Sequence, residues 1–285
     1  MYFLFGLKPN LKNIITICKT QFQDKEINTL NLKDVFYKSL SQYRNNVYVN
    51  FSNNKFINNR VVEDEFCKIF KSESNLTDIK IDFVNDSAIE DINEINRIND
   101  FYNSAIMRLK ELNQEWFDLF DLAIHSIFTK PSRRCGGGTT SAALGVIWLD
   151  PRPHWQLYDL MELLIHELTH NLLFYHELNN LIFNNNDDIT KIENYSISSI
   201  LKIKRPLDKV YHSIIVSSEI ICAREILKFL KQDKYSVHPP TKDLYDSTMI
   251  AFKEIRKLKN LKELLTKNAI ELLDSTYNKI ERINQ

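Results

Sequence analysis

One segment of the chain has the residue types and spacing of a metal-binding enzyme site. This segment, HELTH at 166–170, follows the pattern His-Glu-x-x-His. On a helix, residues four positions apart project from the same face, so the imidazoles of His166 and His170 can bind one metal ion. Glu167 lies about 100° further round the helix. From there its carboxylate can take a proton from a water molecule bound to the ion.

The surroundings of the motif favour a metal over the alternative, which is a pair of hydrogen-bonded core histidines. The stretch LMELLIHELTHNLLFY at 160–175 is apolar on nearly every side. It predicts a long buried helix from Leu157 to about Glu177. Two histidines and a glutamate buried together need partners, because an unpaired polar group in a protein interior costs several kcal/mol. A metal ion is the simplest partner for all three.

A third protein ligand is expected on the helix that begins at Pro206, PLDKVYHSIIVSSEIICARE. His212 and Glu219 are seven residues apart on one face of this helix, about 10 Å along its axis. Only one of them can therefore reach the ion. Glu219 would complete a two-histidine, one-glutamate zinc site, as in gluzincin-like peptidases, whereas His212 would give a three-histidine site for zinc or iron. The residues alone leave this choice open.

The pattern along the chain predicts a mainly helical, α+β protein with a small β-sheet beside the HExxH helix. Five glycines and seven prolines are too few for a fold built from many tight hairpins. Helices are expected over 61–70, over 86–130 with a break near Asn99, and in the last 45 residues. GVIWL at 145–149 and IKIDFV at 79–84 predict strands.

The length of 285 residues allows one large domain or two smaller ones. We expect a mixed α/β region over 1–85 and a helical metal-binding catalytic domain over 86–285. No sharp change in composition marks this boundary, and a single domain is the alternative.

Charge and apolar patterning exclude several classes of partner. The 37 basic and 37 acidic residues balance, so a nucleic-acid partner is not expected. No run reaches the roughly 18 apolar residues of a membrane span. The first residues lack the features of a cleaved signal, and the four cysteines are widely scattered, so we expect a cytoplasmic protein. The oligomeric state is left open.

Three consecutive segments carry a family resemblance. LGVIWLDP, LMELLIHELTHNLLF and RPLDKVYHSIIVSSEI together resemble HExxH-motif proteins found beside ribosomal peptide natural-product genes. Members of that family are similar to 2-oxoglutarate-dependent peptide β-hydroxylases, which use iron where zincins use zinc. The resemblance covers about residues 139 to 225, and the Asn/Lys/Ile-rich N-terminal part departs from it. HELTH alone also resembles zincin metallopeptidases.

The resemblance implies Fe(II) held by His166, His170 and His212, with 2-oxoglutarate as cosubstrate. The activity implied is that of a dioxygenase that hydroxylates a ribosomally made peptide. The far carboxylate of 2-oxoglutarate would bind an arginine, because the planar guanidinium meets a carboxylate bidentately. Arg205 is the first choice, and Arg224 and Arg134 are weaker ones.

Two other functions remain open at this point. One is a zinc metallopeptidase with Glu167 as general base and Glu219 as third ligand. The other is a non-enzymatic helical protein that only binds a peptide. For the hydroxylase, the Gly136–Gly138 loop and the strand behind it either present a backbone edge to an extended peptide or merely turn the chain.

Overall fold

The computed structural model describes residues 1–22, 27–43, 48–52, 54–57, 59–75, 83, 92–133, 135–228 and 237–283. Within these ranges the protein is mainly helical, with a small mixed three-stranded sheet and a two-stranded hairpin, so the predicted fold class is confirmed. A search of the same ranges for a helix with the length and hydropathy of a bilayer span finds none.

The elements follow one another along the chain as helices, then three strands, then helices that are interrupted by a short hairpin. They are α1 Tyr2–Phe5, α2 Leu7–Gln21, α3 Leu32–Tyr43, α4 Arg60–Asn75, α5 Ile92–Leu112, α6 Gln114–Ala123, β1 Ser126–Thr129, β2 Gly137–Thr140, β3 Ala143–Leu149, α7 Leu157–Asn179, α8 Asn186–Ile189, a 3-10 turn Ile192–Asn194, β4 Ser196–Ile197, β5 Lys204–Arg205, α9 Leu207–Leu227, α10 Thr241–Arg256, α11 Leu261–Leu264 and α12 Lys267–Ile283.

These elements form two compact units. One comprises residues 7–175, and the other comprises residues 1–6 together with 176–285. The boundary that we expected near residue 85 lies outside the described residues and stays a prediction. The strand predicted at 79–84 lies outside them as well, apart from Phe83, which bridges to Ser132.

The predicted helix break near Asn99 is wrong. Helix α5 runs through Asn99 without interruption, because its apolar residues form one continuous buried stripe that includes Ile98, Tyr102 and Leu109. The break occurs at Asn113, which has an extended backbone and caps α6 by accepting a hydrogen bond from the backbone N–H of Trp116.

The sheet of the 7–175 unit has the order β1-β3-β2, with β1 parallel and β2 antiparallel to the central strand. Every residue of β3 is buried, which confirms the strand predicted at 145–149. Strand β1 lies where a helix was predicted, since a short apolar run does not by itself distinguish the two. The outer edge of β1 is paired: Ile127 donates to the carbonyl of Lys55 and accepts from the N–H of Ile57.

Gly145 of β3 has a backbone that only glycine adopts without strain, with φ at +76°. A Cβ here would lie 2.7 Å from a ring carbon of His125 and 3.1 Å from both the Ala123 carbonyl and the Tyr175 hydroxyl. We therefore expect Gly145→Ala to lower the free energy of unfolding by roughly 2–5 kcal/mol.

The measurement for Gly145 is urea unfolding, with Gly138→Ala as the matched control. Gly138 has no positive φ, and its added Cβ would meet only the Trp148 ring, at 3.3 Å. We expect the control to change stability by less than about 1 kcal/mol. Equal losses in the two variants would contradict the role given to Gly145.

His125 is a neutral core histidine with a fixed tautomer. Its Nε2 donates to the carbonyl of Leu144, and its Nδ1 interacts with the Ser126 hydroxyl and the backbone N–H of Asn50. Burial lowers the pKa of His125 to about 3, because the charged ring would lose its hydration.

This lowered pKa predicts a pH-dependent stability. The unfolded chain protonates His125 below about pH 6.5, whereas the folded chain does so only near pH 3. The stability that neutral His125 contributes is therefore fully present above about pH 6.5. It is lost as the pH falls through this window, by at most about 1.4 kcal/mol per pH unit. Unfolding of wild type and His125→Gln from pH 7 to 4 measures the difference. Parallel curves for the two proteins would contradict this prediction.

The second unit is organised around α9, which is buried along almost its whole length. Pro206 precedes its first turn, as predicted, and α1, α10 and α12 pack against it. Its serines form a buried hydroxyl network, in which Ser217 donates to Ser199 and accepts from Thr248. The predicted C-terminal helical region is present as α10 to α12.

Candidate metal centre

Two of the predicted ligands lie side by side on α7. The Nε2 atoms of His166 and His170 are 3.2 Å apart, and their ring centroids are 4.9 Å apart. Two imidazole nitrogens at this separation can bind the same ion at a metal–nitrogen distance of about 2.0–2.1 Å. Imidazole suits both zinc and iron. The donor set of this face therefore fits either of the expected metals.

Glu167 lies beside this pair in apolar surroundings. Glu167 is 3% exposed, and its Oε1 is 4.0 Å from the Nε2 of His166. Burial raises the pKa of the Glu167 carboxyl to about 8, because water that would stabilise the charge is excluded. A cation bound at the two histidines would favour the ionised form. The carboxyl is thus placed to hold or release a proton next to such an ion.

Asn171, which the sequence analysis did not single out, ties the HExxH helix to the sheet. Its side-chain oxygen accepts from the N–H of Gly145 in β3, and its amide nitrogen donates to the Thr139 hydroxyl in β2. The same nitrogen donates to the carbonyl of Glu167. Asn171 is fully buried, so all these bonds are made away from solvent. This side chain fixes the distance between β2 and the HExxH turn.

The segment leading into β2 is also held in place. Arg152 donates to the carbonyl of Cys135, and the N–H of Asp150 donates to the carbonyl of Gly136. A Cβ on Gly136 would lie 2.3 Å from the ring of Trp155, so the backbone packs directly on that ring. Strand β2 pairs with β3 and is an edge strand of this sheet among the described residues. A rigid strand edge is a surface on which an extended peptide can pair.

His212 is 8% exposed and lies in the unit that contains residues 176–285. Its Nε2 is 2.7 Å from the Oε1 of Glu177. The two side chains form a short, charge-assisted hydrogen bond, which orients the imidazole ring. Spacing alone did not indicate this pairing, because Glu177 belongs to α7 and His212 to α9.

Glu219 is almost completely buried, and both of its carboxylate oxygens are engaged. Oε1 accepts from the backbone N–H of Phe3 at 2.8 Å, and Oε2 accepts from that of Leu4 at 2.9 Å. The amine of Met1 lies 3.2 Å from Oε1. As a zinc ligand, Glu219 would bind the ion through oxygens that already accept backbone hydrogen bonds.

Arg205 lies in strand β5 and is half-buried. Helix α9 begins two residues later, at Leu207, because a residue that precedes proline is disfavoured in the helical conformation. Arg205 lies seven residues before His212, a spacing that would put both on one face of a continuous helix, but its position in β5 rules out a shared helix face.

Of the weaker arginine candidates, Arg224 is fully buried and donates to the carbonyl of Pro239 and the hydroxyl of Thr241. These bonds give its guanidinium a structural role between α9 and the start of α10. Arg134 lies outside the described residues.

The structure thus brings together His166, Glu167 and His170. A search of the described ranges finds no group of three or more His, Cys, Asp or Glu side chains arranged to hold a metal ion.

No protein-family model matches this chain, and no curated protein matches it.

Proposed function

We propose that this protein is a metal-dependent enzyme that modifies a ribosomally made peptide in the cytoplasm. The observation that carries the proposal is the pair of His166 and His170 Nε2 atoms, 3.2 Å apart beside a buried carboxyl. The preferred activity is β-hydroxylation with Fe(II) and 2-oxoglutarate. His212 is proposed as third ligand, and Arg205 as the residue for the cosubstrate carboxylate, on the basis of the sequence resemblance.

When bound, iron would let O₂ act as the oxidant, with one oxygen atom entering a C–H bond of the peptide and the other oxidising 2-oxoglutarate to succinate and CO₂. The protein's own residues do the rest. His166 and His170 would hold the ion by neutral imidazoles, and Glu167 beside them would orient a ligand or the substrate. Strand β2 offers its edge to the peptide backbone, and Asn171 keeps that edge at a fixed distance from the HExxH turn.

The engagement of Glu219 favours this activity over the gluzincin-like alternative. Its two oxygens already accept two backbone hydrogen bonds in a buried environment. A metal that displaced either of these bonds would leave a buried N–H group unsatisfied, at a cost of about 1–3 kcal/mol. The zinc peptidase remains the second candidate, since Glu167 lies where a general base would act, 4.0 Å from the His166 Nε2.

The experiment that tests the proposal is elemental analysis of protein purified without added zinc, together with 2-oxoglutarate turnover. We expect about one iron per chain after anaerobic reconstitution and conversion of 2-oxoglutarate to succinate. Stoichiometric zinc that iron does not displace, with peptide hydrolysis and no succinate, would contradict the hydroxylase and support the peptidase. Absence of any bound metal would contradict both and leave a peptide-binding protein.

The third ligand is tested by comparing His212→Ala with Glu219→Ala. We expect His212→Ala to lose metal and 2-oxoglutarate binding while the fold persists. Glu219→Ala should keep its metal but lower the melting temperature, because the N–H groups of Phe3 and Leu4 lose their acceptor. The reverse pattern, with metal kept in His212→Ala and lost in Glu219→Ala, would favour the zinc peptidase.

A further inference from the structure

A short hairpin of the second unit holds apolar and basic side chains out into solvent. Its strands are β4 and β5, and the N–H of Ser198 donates to the carbonyl of Ile203 across the loop between them. Leu201 and Ile203 are 39% and 53% exposed, and Lys202 and Lys204 are exposed as well. Neither lysine side chain makes an ion pair with the described residues. The run Leu-Lys-Ile-Lys therefore presents two aliphatic groups and two unpaired charges to solvent.

The base of this hairpin is firmly anchored. Ser199 is fully buried, its N–H donates to the Ser213 hydroxyl, and its own hydroxyl donates to the Ser213 carbonyl in α9. Ile200 packs against buried side chains of α9 and α10. These contacts hold the loop in one position, so the exposed side chains at its tip stand on a rigid support.

Lys202 has a left-handed backbone conformation, with φ at +59°. This conformation is costly for a residue with a Cβ and is normally adopted by Gly or Asn. It closes the turn, because it lets the N–H of Lys202 donate to the carbonyl of Ser198. Backbone strain of this kind concentrates at binding sites, where the surrounding structure maintains it. A lysine side chain thus stands at a position that glycine would occupy more easily.

The outer edge of β5 can accept another strand. Ile197 pairs with Lys204, and the neighbouring pair of Ser198 and Ile203 is hydrogen-bonded. Because hydrogen-bonded and non-hydrogen-bonded pairs alternate in an antiparallel ladder, the N–H and C=O of Lys204 point away from β4. Strand β5 is an edge strand of this hairpin among the described residues. A strand added antiparallel to it would exchange two backbone hydrogen bonds with Lys204.

We propose that this hairpin is a docking site for an extended acidic peptide in which acidic and apolar residues alternate. Directly opposite residues of an antiparallel pair have their side chains on the same face, so an acidic residue opposite Lys204 meets its ammonium group. The next residues of the peptide face the other way, toward the side of Ile203, where an apolar side chain is favoured. The hairpin and its partner do not involve the metal centre, and this binding activity goes beyond the proposed function.

Two other roles for the hairpin are less favoured. An anionic membrane surface also attracts lysines and aliphatic side chains. However, a single myristoyl chain binds a membrane only marginally, and Leu201 and Ile203 bury less apolar surface than such a chain. The second alternative is that the lysines only protect a short edge strand from aggregation. The exposed Leu201 and Ile203 would work against that protection.

The experiment uses the full-length protein and a short fluorescein-labelled peptide with blocked ends, in which Glu and Val alternate. Fluorescence anisotropy measures binding. We expect a peptide of the same composition with Glu and Val in separate blocks, and an alternating Lys–Val peptide, to bind at least roughly tenfold more weakly. Equal binding of the alternating and block peptides would overturn the proposed pairing.

Methylation of the peptide nitrogens tests the strand register. In the expected pairing, the N–H of the Glu opposite Lys204 donates to the Lys204 carbonyl, whereas the N–H groups of the Val residues point away. Peptides methylated on the Glu nitrogens should therefore lose binding, and peptides methylated on the Val nitrogens should keep it. Equal losses in the two peptides would show attraction of charge without strand pairing, which would overturn the proposed docking mode.

Variants of the hairpin locate the site. Lys204→Glu puts like charges opposite each other and should weaken binding at least about tenfold. Ile203→Ser removes apolar contact area and should weaken it roughly threefold. Lys262→Glu, the same charge change at an exposed lysine of α11, is the control and should bind as wild type does. Wild-type affinity in a folded Lys204→Glu would overturn the site.

Vesicles of phosphatidylcholine and phosphatidylserine provide the last comparison. Binding to these vesicles without binding of the alternating peptide would overturn the peptide as partner and leave a membrane surface. Binding of neither would overturn the docking site and leave edge protection as the role of the lysines. Metal content and succinate formation are measured on the same wild-type preparation, so failure of the docking site and failure of the proposed function are seen separately.

Discussion

His166→Ala and His170→Ala are each expected to abolish metal binding, and with it any metal-dependent turnover. Each substitution removes one of two nitrogens that lie 3.2 Å apart. A protein metal site of this kind has an apparent binding free energy of about 10–16 kcal/mol shared among a few ligands, so loss of one should weaken binding by at least roughly a thousandfold. Metal content after dialysis, measured on both variants, tests this result.

The matched control for these substitutions is His154→Ala. His154 is exposed and lies outside α7, so its removal should leave both metal content and stability unchanged. Thermal unfolding of the metal-free proteins separates loss of a ligand from loss of the fold. Full metal occupancy in both folded variants would show that the HExxH face is not the metal centre.

The parts of the fold that the sequence predicted are those with long, uninterrupted patterns. Helix α7 was predicted from the apolar surroundings of HELTH, and α9 from Pro206 followed by an apolar run. Strand β1 was not predicted, because Ser126–Thr129 is short and its identity depends on pairing with β3. The position of the break after α5 depends on the cap at Asn113, which is a single side-chain hydrogen bond.

The site was predictable only where its residues are close in the sequence. His166, Glu167 and His170 follow from five consecutive positions. The acceptor role of Glu219 was not predictable, because its partner amides are 216 and 215 residues away. Asn171 directly follows the motif, but its contacts with Thr139 and Gly145 exist only once the sheet has formed. The pairing of Glu177 with His212 likewise needs two helices in place.

Glu167→Gln should distinguish the two candidate activities by a large factor. The amide has nearly the shape of the carboxyl that it replaces, and the site is 3% exposed. Because burial already raises the pKa of Glu167 to about 8, the carboxyl is mostly neutral at pH 7 without a metal. The neutral amide should therefore leave the folded state of the metal-free protein intact.

In a zinc peptidase, Glu167 must accept a proton from the metal-bound water, so Glu167→Gln should reduce hydrolysis by about 10²–10⁴-fold. In the proposed hydroxylase, the oxygen comes from O₂ and no such base is required. We therefore expect Glu167→Gln to retain its iron and to convert 2-oxoglutarate to succinate within about tenfold of the wild-type rate, a loss typical of a residue that only orients a ligand. Iron content, succinate formation and peptide hydrolysis measured on the same preparation give the answer. Retained iron with hydrolysis reduced a thousandfold and no succinate from either protein would make the peptidase the better account, because only that activity depends on proton transfer to Glu167.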